Sequence, residues 1–345
     1  MNLDDLYINR CFQLALKGIG STRTNPLVGA VLVYKNKIIG EGYHAEFGAA
    51  HAEIQAFNSV RDEDQVYISK STLYVNLEPC CIHGKTPPCV DEIIRRKIKR
   101  VIIGQLDPNP KINGAGIKIM QKKGIEVIMS TLEPEARKLN KVFQKNMTIG
   151  LPYITLKFAC SADGFIGRAD QRIKISNSWS EYIVHKIRHQ VDGILIGTNT
   201  ALIDNPSLTN RLYFGKSPVR IVMDRMGIIP SHYNIFADGG NTWLITENAK
   251  NQYGPNVKLL PWNPDLTQLL KDLLNLGLSS ILVEGGAKTL DSFIKAKLWD
   301  ELWCTQSKTT LHYGISAPLI SGNIGWSTQI GSDDLRIYYN DEQNR

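Results

Sequence analysis

His51 and Glu53 in "HAE", with Cys80 and Cys89 in "PCCIHGKTPPC", offer an imidazole, a carboxylate and two thiols, with eight residues between the two cysteines. Two thiolates and an imidazole form a zinc donor set, and three protein ligands leave the fourth tetrahedral position open for water, as in a reactive rather than a structural centre. Zinc lowers the pKa of water toward neutrality, and a carboxylate beside it can carry a proton between water and a leaving group. Residues two apart face different sides of a regular helix, so His51 and Glu53 can act together only where a helix begins. Cys80 follows Pro79 at the end of the strand-like run "TLYVNL", and Cys89 opens the next helix after two prolines, so both can face the start of the His51 helix. Adjacent residues at a strand end point opposite ways, which sends Cys81 elsewhere. Any one of these residues alone reads as a small buried side chain or an ordinary helix-start residue; four of them in one α/β unit read as a site.

The elements that must hold these residues can be read from periodicity. Val28 to Val33 and Lys37 to Gly42 are β-rich runs joined by a short polar turn, which predicts a hairpin. A helix follows from about Ala49 to Val60, then the strand "TLYVNL", then a helix from Cys89 in which Val90, Ile93, Ile94 and Ile98 recur at helical spacing. "RVIIGQL" and "IEVIMS" read as strands separated by a helix from Gly116 to Lys123, and Thr131 to Asn146 reads as one charged helix. The alternation predicts a three-layer α/β sandwich. Gly150 and Pro152 mark a break, because a residue before proline is pushed out of helix, and the expected domains are 1–147 and 148–345.

In the second half, strands are expected at "YITLKFA", "GILIG", "VRIVMD", "TWLIT", "VKLL", "SSILVEGG" and "DELWCTQSK", with helices near Ser180 to Gln190, Leu266 to Leu276 and Ala287 to Lys297. Glu284-Gly285-Gly286 ends a strand and runs into a helix, where bare backbone and a helix N-terminus favour phosphate; a structural turn would look the same. The run is not GxGxxG, and no acidic residue sits at the Rossmann offset, so a doubly wound dinucleotide fold is not supported. "ILIGTNTALIDNPSLTNR" follows a strand with clustered Thr, Asn and Asp that suit a ribose and phosphates, or simply make a polar loop. Arg188 and Arg211 can bind a phosphate bidentately.

Composition bounds the rest. A chain of 345 residues exceeds one ordinary domain, and 43% hydrophobic with 21% charged residues describes a globular protein with sizeable cores. The six cysteines are unevenly spaced and do not form a disulfide framework. The start "MNLDDLYINRCFQLALKG" carries aspartates where a secretory leader carries positive charge, and no apolar run approaches the ~20 residues of a membrane span, so a cytoplasmic protein is expected. The net charge of +7 is scattered apart from "IIRRKIKR", as on a solvated basic face.

His-x-Glu followed by Pro-Cys and a second cysteine is the pattern of zinc-dependent nucleobase deaminases. More specifically, "NPLVGAVLV", "GYHAEFGAAHAE", "EPC" followed by "GKTPPC", and "DPNPKINGAGI" resemble, in order, the first half of the RibD family of bifunctional riboflavin biosynthesis proteins, in which a pyrimidine deaminase is fused to a reductase. "LPYITLKFACSADG", "VHKIRHQVDGILIGTNTALIDNPSLTNR", "PVRIVMDR" and "LVEGGAKTLDSF" resemble its second half. The resemblance implies a cytidine-deaminase-like three-layer α/β/α domain followed by a dihydrofolate-reductase-like α/β domain, with zinc and NADPH as cofactors. It implies His51, Cys80 and Cys89 as zinc ligands and Glu53 as proton shuttle, with Asn25, His44, Asp107 and Asn109 lining the first substrate pocket.

For the second half it implies nucleotide contacts from Cys160, Lys174, Thr200, Asp204 and the run Gly286, Ala287, Lys288, Thr289, Leu290, Asp291 and Ser292. Substrate contacts are implied at Arg172, Arg188, Leu208, Arg211 and Glu284. Two departures stand out: Ile82 occupies the usual histidine position, with His83 one place along, and Lys174 stands where many relatives carry tryptophan. The expected partners are small phosphorylated pyrimidines, with no nucleic acid and no membrane; a homo-oligomer is compatible with this. The expected reactions are deamination of 2,5-diamino-6-(5-phosphoribosylamino)pyrimidin-4(3H)-one and reduction of the ribosyl group to ribityl. A nucleic-acid deaminase drawing on the positive charge lacks the aromatic interleaving that base stacking needs, and a zinc-stabilised protein with one active half would close its metal shell with a fourth ligand.

Overall fold

In Gly29–Tyr34 (β1) alternate residues serve opposite faces: Ala30 and Leu32 join one apolar cluster, Val31 and Val33 another. This period of two is what a strand between two helical layers requires. The computed structural model describes residues 2–83, 87–249, 251–320 and 322–340, which fall into two compact units, Met1–Gly150 and Leu151–Arg345.

The first unit is a five-stranded sheet. With Lys37–Tyr43 (β2), Thr72–Val75 (β3), Arg100–Ile103 (β4) and Glu126–Met129 (β5), the order is β2-β1-β3-β4-β5. β1 pairs antiparallel with both β2 and β3, and β3, β4 and β5 run parallel. Helix α1, Leu3–Ala15, opens with a reciprocal cap between Asn2 and Asp5 and packs Tyr7, Ile8, Cys11 and Leu14 on one face of the sheet. Helices α2 (Ala52–Asn58), α3 (Cys89–Arg95) and α4 (Ala115–Lys122) cover the other face through Ala56, Phe57, Val90, Ile93 and Met120. Gly42 lets α2 lie flush on β2, since a Cβ there would sit 2.3 Å from the Ala56 backbone nitrogen.

Thr131 to Asn146 is not one helix. It divides into α5, Glu133–Leu139, and α6, Lys141–Ile149. Asn140 sits at the break and turns inward, its Oδ1 accepting the Leu27 N–H at 2.8 Å and its Nδ2 donating to the Leu27 carbonyl at 3.1 Å. The sequence reading also left out α1.

The second unit holds strands β6 (Tyr153–Cys160), β7 (Phe165–Gly167), β8 (Gly193–Gly197), β9 (Val219–Met223), β10 (Thr242–Thr246), β11 (Val257–Pro261), β12 (Ser280–Val283), β13 (Glu301–Gln306), β14 (Ile315–Ser316), β15 (Asn323–Ile330) and β16 (Asp333–Tyr339). Nine of them form the sheet β11-β10-β9-β8-β12-β6-β13-β16-β15, and β7 pairs with β14. Seven strands from β11 to β13 are parallel, and β16 and β15 add an antiparallel edge. Helices α7 (Ser178–Gln190), α8 (Thr198–Asp204) and α9 (Asn234–Ala237) contribute to the core on one face, and α10 (Leu266–Asn275) and α11 (Ala287–Lys295) to that on the other. The segment 198–204, which the sequence left open between a ribose- and phosphate-binding stretch and a polar loop, is a helix, and the β15–β16 hairpin is additional to the expected strands.

Asn140 alone accepts the Leu27 N–H, while the Leu27 carbonyl keeps the Asn76 amide as a second donor, so Asn140→Ala is expected to destabilise the first unit by about 1–2 kcal/mol, the order of cost for leaving one part-buried backbone N–H unpaired. Calorimetry should show a lowered transition for that unit and an unchanged one for the second.

Candidate active sites

His51 is the N-cap of α2, with an extended backbone (φ −69°, ψ 161°), and Glu53 lies in the first helical turn. This is the helix-start placement that the two-residue spacing demands. Cys89 is the first residue of α3, after Pro88 in extended conformation, and the Val90 N–H bonds the Cys80 carbonyl at 3.2 Å. His51 Nδ1 lies 3.2 Å from Cys89 Sγ and 3.4 Å from Cys80 Sγ, and all three donor atoms fall within 4.8 Å of one another. Tetrahedral zinc with bonds of ~2.0–2.3 Å separates its ligands by about 3.5–3.8 Å, so the donor set and its spacing fit the metal. A backbone N–H, that of Cys89, also donates to Cys80 Sγ at 3.3 Å, as outer partners of ligating thiolates do. Cys81 is half-buried and packs against the core cluster under α2 and α3.

Electrostatics point the same way. The hydrogen bond with Cys89, aided by His51, pulls the Cys80 thiol down to about 4, and the bond with Cys80 pushes Cys89 well up. Cys80 thus favours the thiolate beside His51, whose pKa it raises, and a negative sulfur there attracts a cation. Burial pushes the Glu53 carboxyl up to about 7, near the working range of a group that both takes and gives a proton.

His51, Glu53 and Cys80 line a cavity of about 440 Å³. Asn25, His44, Asp107 and Asn109, expected from sequence, all line it too. Burial lowers the His44 pKa. The neutral ring donates from Nδ1 to the Ala50 carbonyl at 3.3 Å and accepts at Nε2 from Asn25 Nδ2 at 2.9 Å, leaving Asn25 Oδ1 to face a ligand. Burial raises the Asp107 carboxyl to about 6, and its Oδ1 accepts the Asn109 N–H at 2.8 Å. The remaining wall is apolar, with Phe47, Ile82, Phe143 and Met147. Phe143 and Met147 on α6 were missed by the sequence reading, as was the carboxylate of Glu78. Three residues of the "GKTPPC" motif, Gly84, Lys85 and Thr86, lie outside the described residues.

A second cavity, of about 510 Å³, opens beyond the carboxyl ends of β6, β8 and β12, where parallel sheets place ligands. Arg172, Lys174, Arg188, Thr200, Asp204, Arg211, Glu284 and Gly286 line it. Arg188 grips Glu284 bidentately at 2.9 and 3.2 Å and donates to the Thr209 carbonyl at 3.0 Å. Burial opposes ionisation of Glu284, but Arg188 and Lys157 overcome it and hold the carboxyl below its ordinary value. Lys157 on β6 lines this cavity too, a residue quoted in the sequence without a role. Burial, with Arg188 and Arg211 nearby, pulls His185 down to about 4, so it is neutral beside the two arginines.

Gly286 caps α11, its N–H bonded to Thr200 Oγ1 at 2.8 Å. A Cβ on Gly285 would come within 2.6 Å of Thr289 Cβ, so the strand end and first helical turn meet only because no side chain intervenes. This bare backbone at a helix N-terminus, among cationic side chains, fits an anionic nucleotide. Eight other expected residues lie outside the cavity lining. Cys160 is buried with its Sγ 3.9 Å from Cys304 Sγ, Leu208 is buried in the core with a left-handed backbone (φ 51°), and Leu290 is a core residue of α11. Ala287, Lys288, Thr289, Asp291 and Ser292 continue α11 beyond the Gly286 cap.

Residues 1–105 match the family described as the cytidine and deoxycytidylate deaminase zinc-binding region, and residues 152–311 match the RibD C-terminal domain. The chain is 37% identical over 332 residues to the riboflavin biosynthesis protein RibD of Bacillus amyloliquefaciens, covering 93% of this chain and 88% of that one. It is 35% identical over 319 residues to the Escherichia coli RibD, covering 87% and 86%. Among solved structures, the diaminohydroxyphosphoribosylaminopyrimidine deaminase/5-amino-6-(5-phosphoribosylamino)uracil reductase of Thermotoga maritima superposes with a TM-score of 0.91 at 34% identity, covering 98% of each chain. An Acinetobacter baumannii RibD superposes with a TM-score of 0.88 at 28% identity.

Metal analysis of the purified protein should find about one zinc per chain, as three converging donors imply. The zinc should be lost in Cys80→Ala and kept in Cys81→Ala. In the second cavity, Arg188→Ala leaves Glu284 buried without its main partner and should weaken or abolish activity there while leaving the zinc content unchanged.

Proposed function

The chain belongs to the RibD family of riboflavin biosynthesis proteins, and on that footing we propose how its residues divide the work. The protein is a bifunctional enzyme of that pathway, a zinc-dependent deaminase and an NADPH-dependent reductase. We assign the deaminase to the first unit and the reductase to the second. The observation that carries the reading is the convergence of His51, Cys80 and Cys89 beside the buried Glu53 at one wall of a cavity.

In the first cavity, zinc when bound supplies the Lewis acidity that makes water a nucleophile near neutral pH. His51 serves as a neutral ligand through Nδ1, with Cys80 and Cys89 as thiolates. Glu53 takes a proton from water and delivers it to the departing amino group, which leaves as ammonia while oxygen takes its place on the ring. Asn25, His44, Asp107 and Asn109 orient the pyrimidine, and the apolar wall keeps competing water from the ring. The substrate assigned is 2,5-diamino-6-(5-phosphoribosylamino)pyrimidin-4(3H)-one, in keeping with the activity named for the Thermotoga maritima relative.

In the second cavity, NADPH when bound would supply a hydride to C1′ of the ribosyl group as the bond from C1′ to the ring oxygen breaks and that oxygen takes a proton from water, and the protein's task is to position the two partners. Gly286 and the first turn of α11 receive nucleotide phosphate, and Thr200, Asp204 and Lys174 flank it. Arg172, Arg188 and Arg211 face the substrate, with the 5'-phosphate paired to arginine, and Glu284 sets the orientation of Arg188. The product assigned is 5-amino-6-(5-phosphoribitylamino)uracil. Small phosphorylated pyrimidines, without nucleic acid, suffice as ligands. A cytoplasmic setting suits the six unpaired cysteines, two of which must remain thiolate ligands.

Glu53→Gln should lower deamination by about 10²–10⁴-fold, the usual worth of a positioned proton carrier. It should retain zinc and leave NADPH oxidation with the deaminated substrate unchanged. Mass analysis of products with and without NADPH reads both half-reactions, and undiminished ammonia release in the variant would overturn the role given to Glu53. Chelation of the metal should silence deamination and spare reduction.

A further inference from the structure

Glu78 is 2% exposed, yet no cationic side chain is bonded to it among the described residues. Its carboxylate is satisfied by backbone alone. Oε2 accepts the N–H of Asp107 at 3.2 Å and of Gly114 at 2.8 Å, and Oε1 accepts those of Gly116 at 3.0 Å and Ile117 at 3.4 Å. A buried carboxylate is costly unless so bonded, and its four donors all lie in residues 107–117. Three of them are the cap and first-turn nitrogens of α4, the end of a helix that favours an anion. The Glu78 N–H also bonds the Gln105 carbonyl at 2.9 Å, fixing its own backbone to the segment just before that loop.

We propose that Glu78 is the positioning residue of the deaminase: its charge clamps the 107–117 loop so that Asp107, Asn109 and Ile112 are held in the cavity lining. The inference rests on the deaminase reading of this cavity. Only Pro79 separates Glu78 from Cys80, so one short stretch just beyond β3 carries both a donor to the metal and the anchor for the 107–117 loop. Both carboxylate oxygens are spent on two donors each, so Glu78 holds geometry and does not exchange protons with the substrate. The span it bridges runs through Gly114 and Gly116 to the start of α4, and the loop contributes no atom to the His51–Cys80–Cys89 cluster. Losing the clamp should therefore disturb binding of the pyrimidine more than the metal chemistry.

The test is Glu78→Gln in the full-length zinc enzyme. The new amide NH₂ would face two N–H donors, so the loop must release. KM for the pyrimidine is expected to rise about ten-fold or more with kcat altered less than about three-fold, the signature of lost binding geometry. Zinc content and reductase rate should match the parent. Glu78→Asp, which keeps the charge and loses the reach, should raise KM in the same direction; it decides the matter if the glutamine variant does not fold. Amide hydrogen exchange over residues 107–117 should accelerate in either variant with zinc bound, a readout that stands even if the parent fails to deaminate and the assignment of substrate is wrong. An unchanged KM, a fall in kcat with KM intact as from a partly unfolded sample, or unaltered exchange across the loop would each overturn the role.

Discussion

Two thiols and a carboxyl crowd one buried point where Cys80, Cys89 and Glu53 meet, and once the thiols ionise only a shared cation makes that crowding tolerable. Without the metal the chain keeps a proton among His51, Cys80 and Cys89, which is why the two sulfurs are driven in opposite directions. Much of the first unit follows from meeting this demand. His51 must cap a helix rather than sit within one, so α2 begins where it does, and the bare Gly42 lets that helix rest on β2. Cys80 lies in the segment beyond β3, past the strand end that its sequence suggests, and Cys89 starts a helix, each directly preceded by a proline, Pro79 or Pro88.

The second unit solves a different charge problem. Its cavity gathers Arg172, Lys174, Arg188 and Arg211, cations whose mutual repulsion is offset only in part by Glu181 on Lys174 and Glu284 on Arg188. Glu284 offsets part of that repulsion and fixes the direction of Arg188 through two parallel bonds, a geometry available to guanidinium and not to ammonium. His185 stays neutral beside them. The anionic ligand is thus met by a guanidinium whose orientation was set in advance, and little of its binding energy goes into ordering side chains.

The donor triad was legible because its chemistry needs particular residue types, and the parallel strands because they are apolar on both faces. The β15–β16 hairpin was not legible. β15 is an edge strand, exposed along most of its length, so it carries no buried alternation to read. Helix α1 did carry a signal: Tyr7, Ile8, Cys11 and Leu14 recur at helical spacing. The break at Asn140 and the role of Glu78 depend on backbone groups far away in sequence, Leu27 for one and the 107–117 loop for the other. Propensity and periodicity do not see such partners. The same holds for Phe143 and Met147, whose helix looks merely charged until its inner face is placed on the cavity.

Ile82 shows how one substitution shifts the load among the remaining groups. It lines the first cavity and is 41% exposed, whereas His83, also exposed, is not part of the lining. An isoleucine can neither donate nor accept a hydrogen bond, so where the family's usual residue could hold a polar part of the ligand, this chain offers only an apolar surface. With Phe47, Phe143 and Met147 it makes a wall that attracts the ring without fixing its rotation, because apolar contact is not directional. In the proposed reading, orientation of the amino group toward the metal then rests on the polar side, on Asn25 held by His44 and on Asp107 and Asn109 held by their loop. A cavity with fewer directional contacts tolerates less play in those that remain, since binding of the pyrimidine in one orientation then rests on fewer groups. The rigidity of the polar wall is therefore the property on which deamination in this chain depends most.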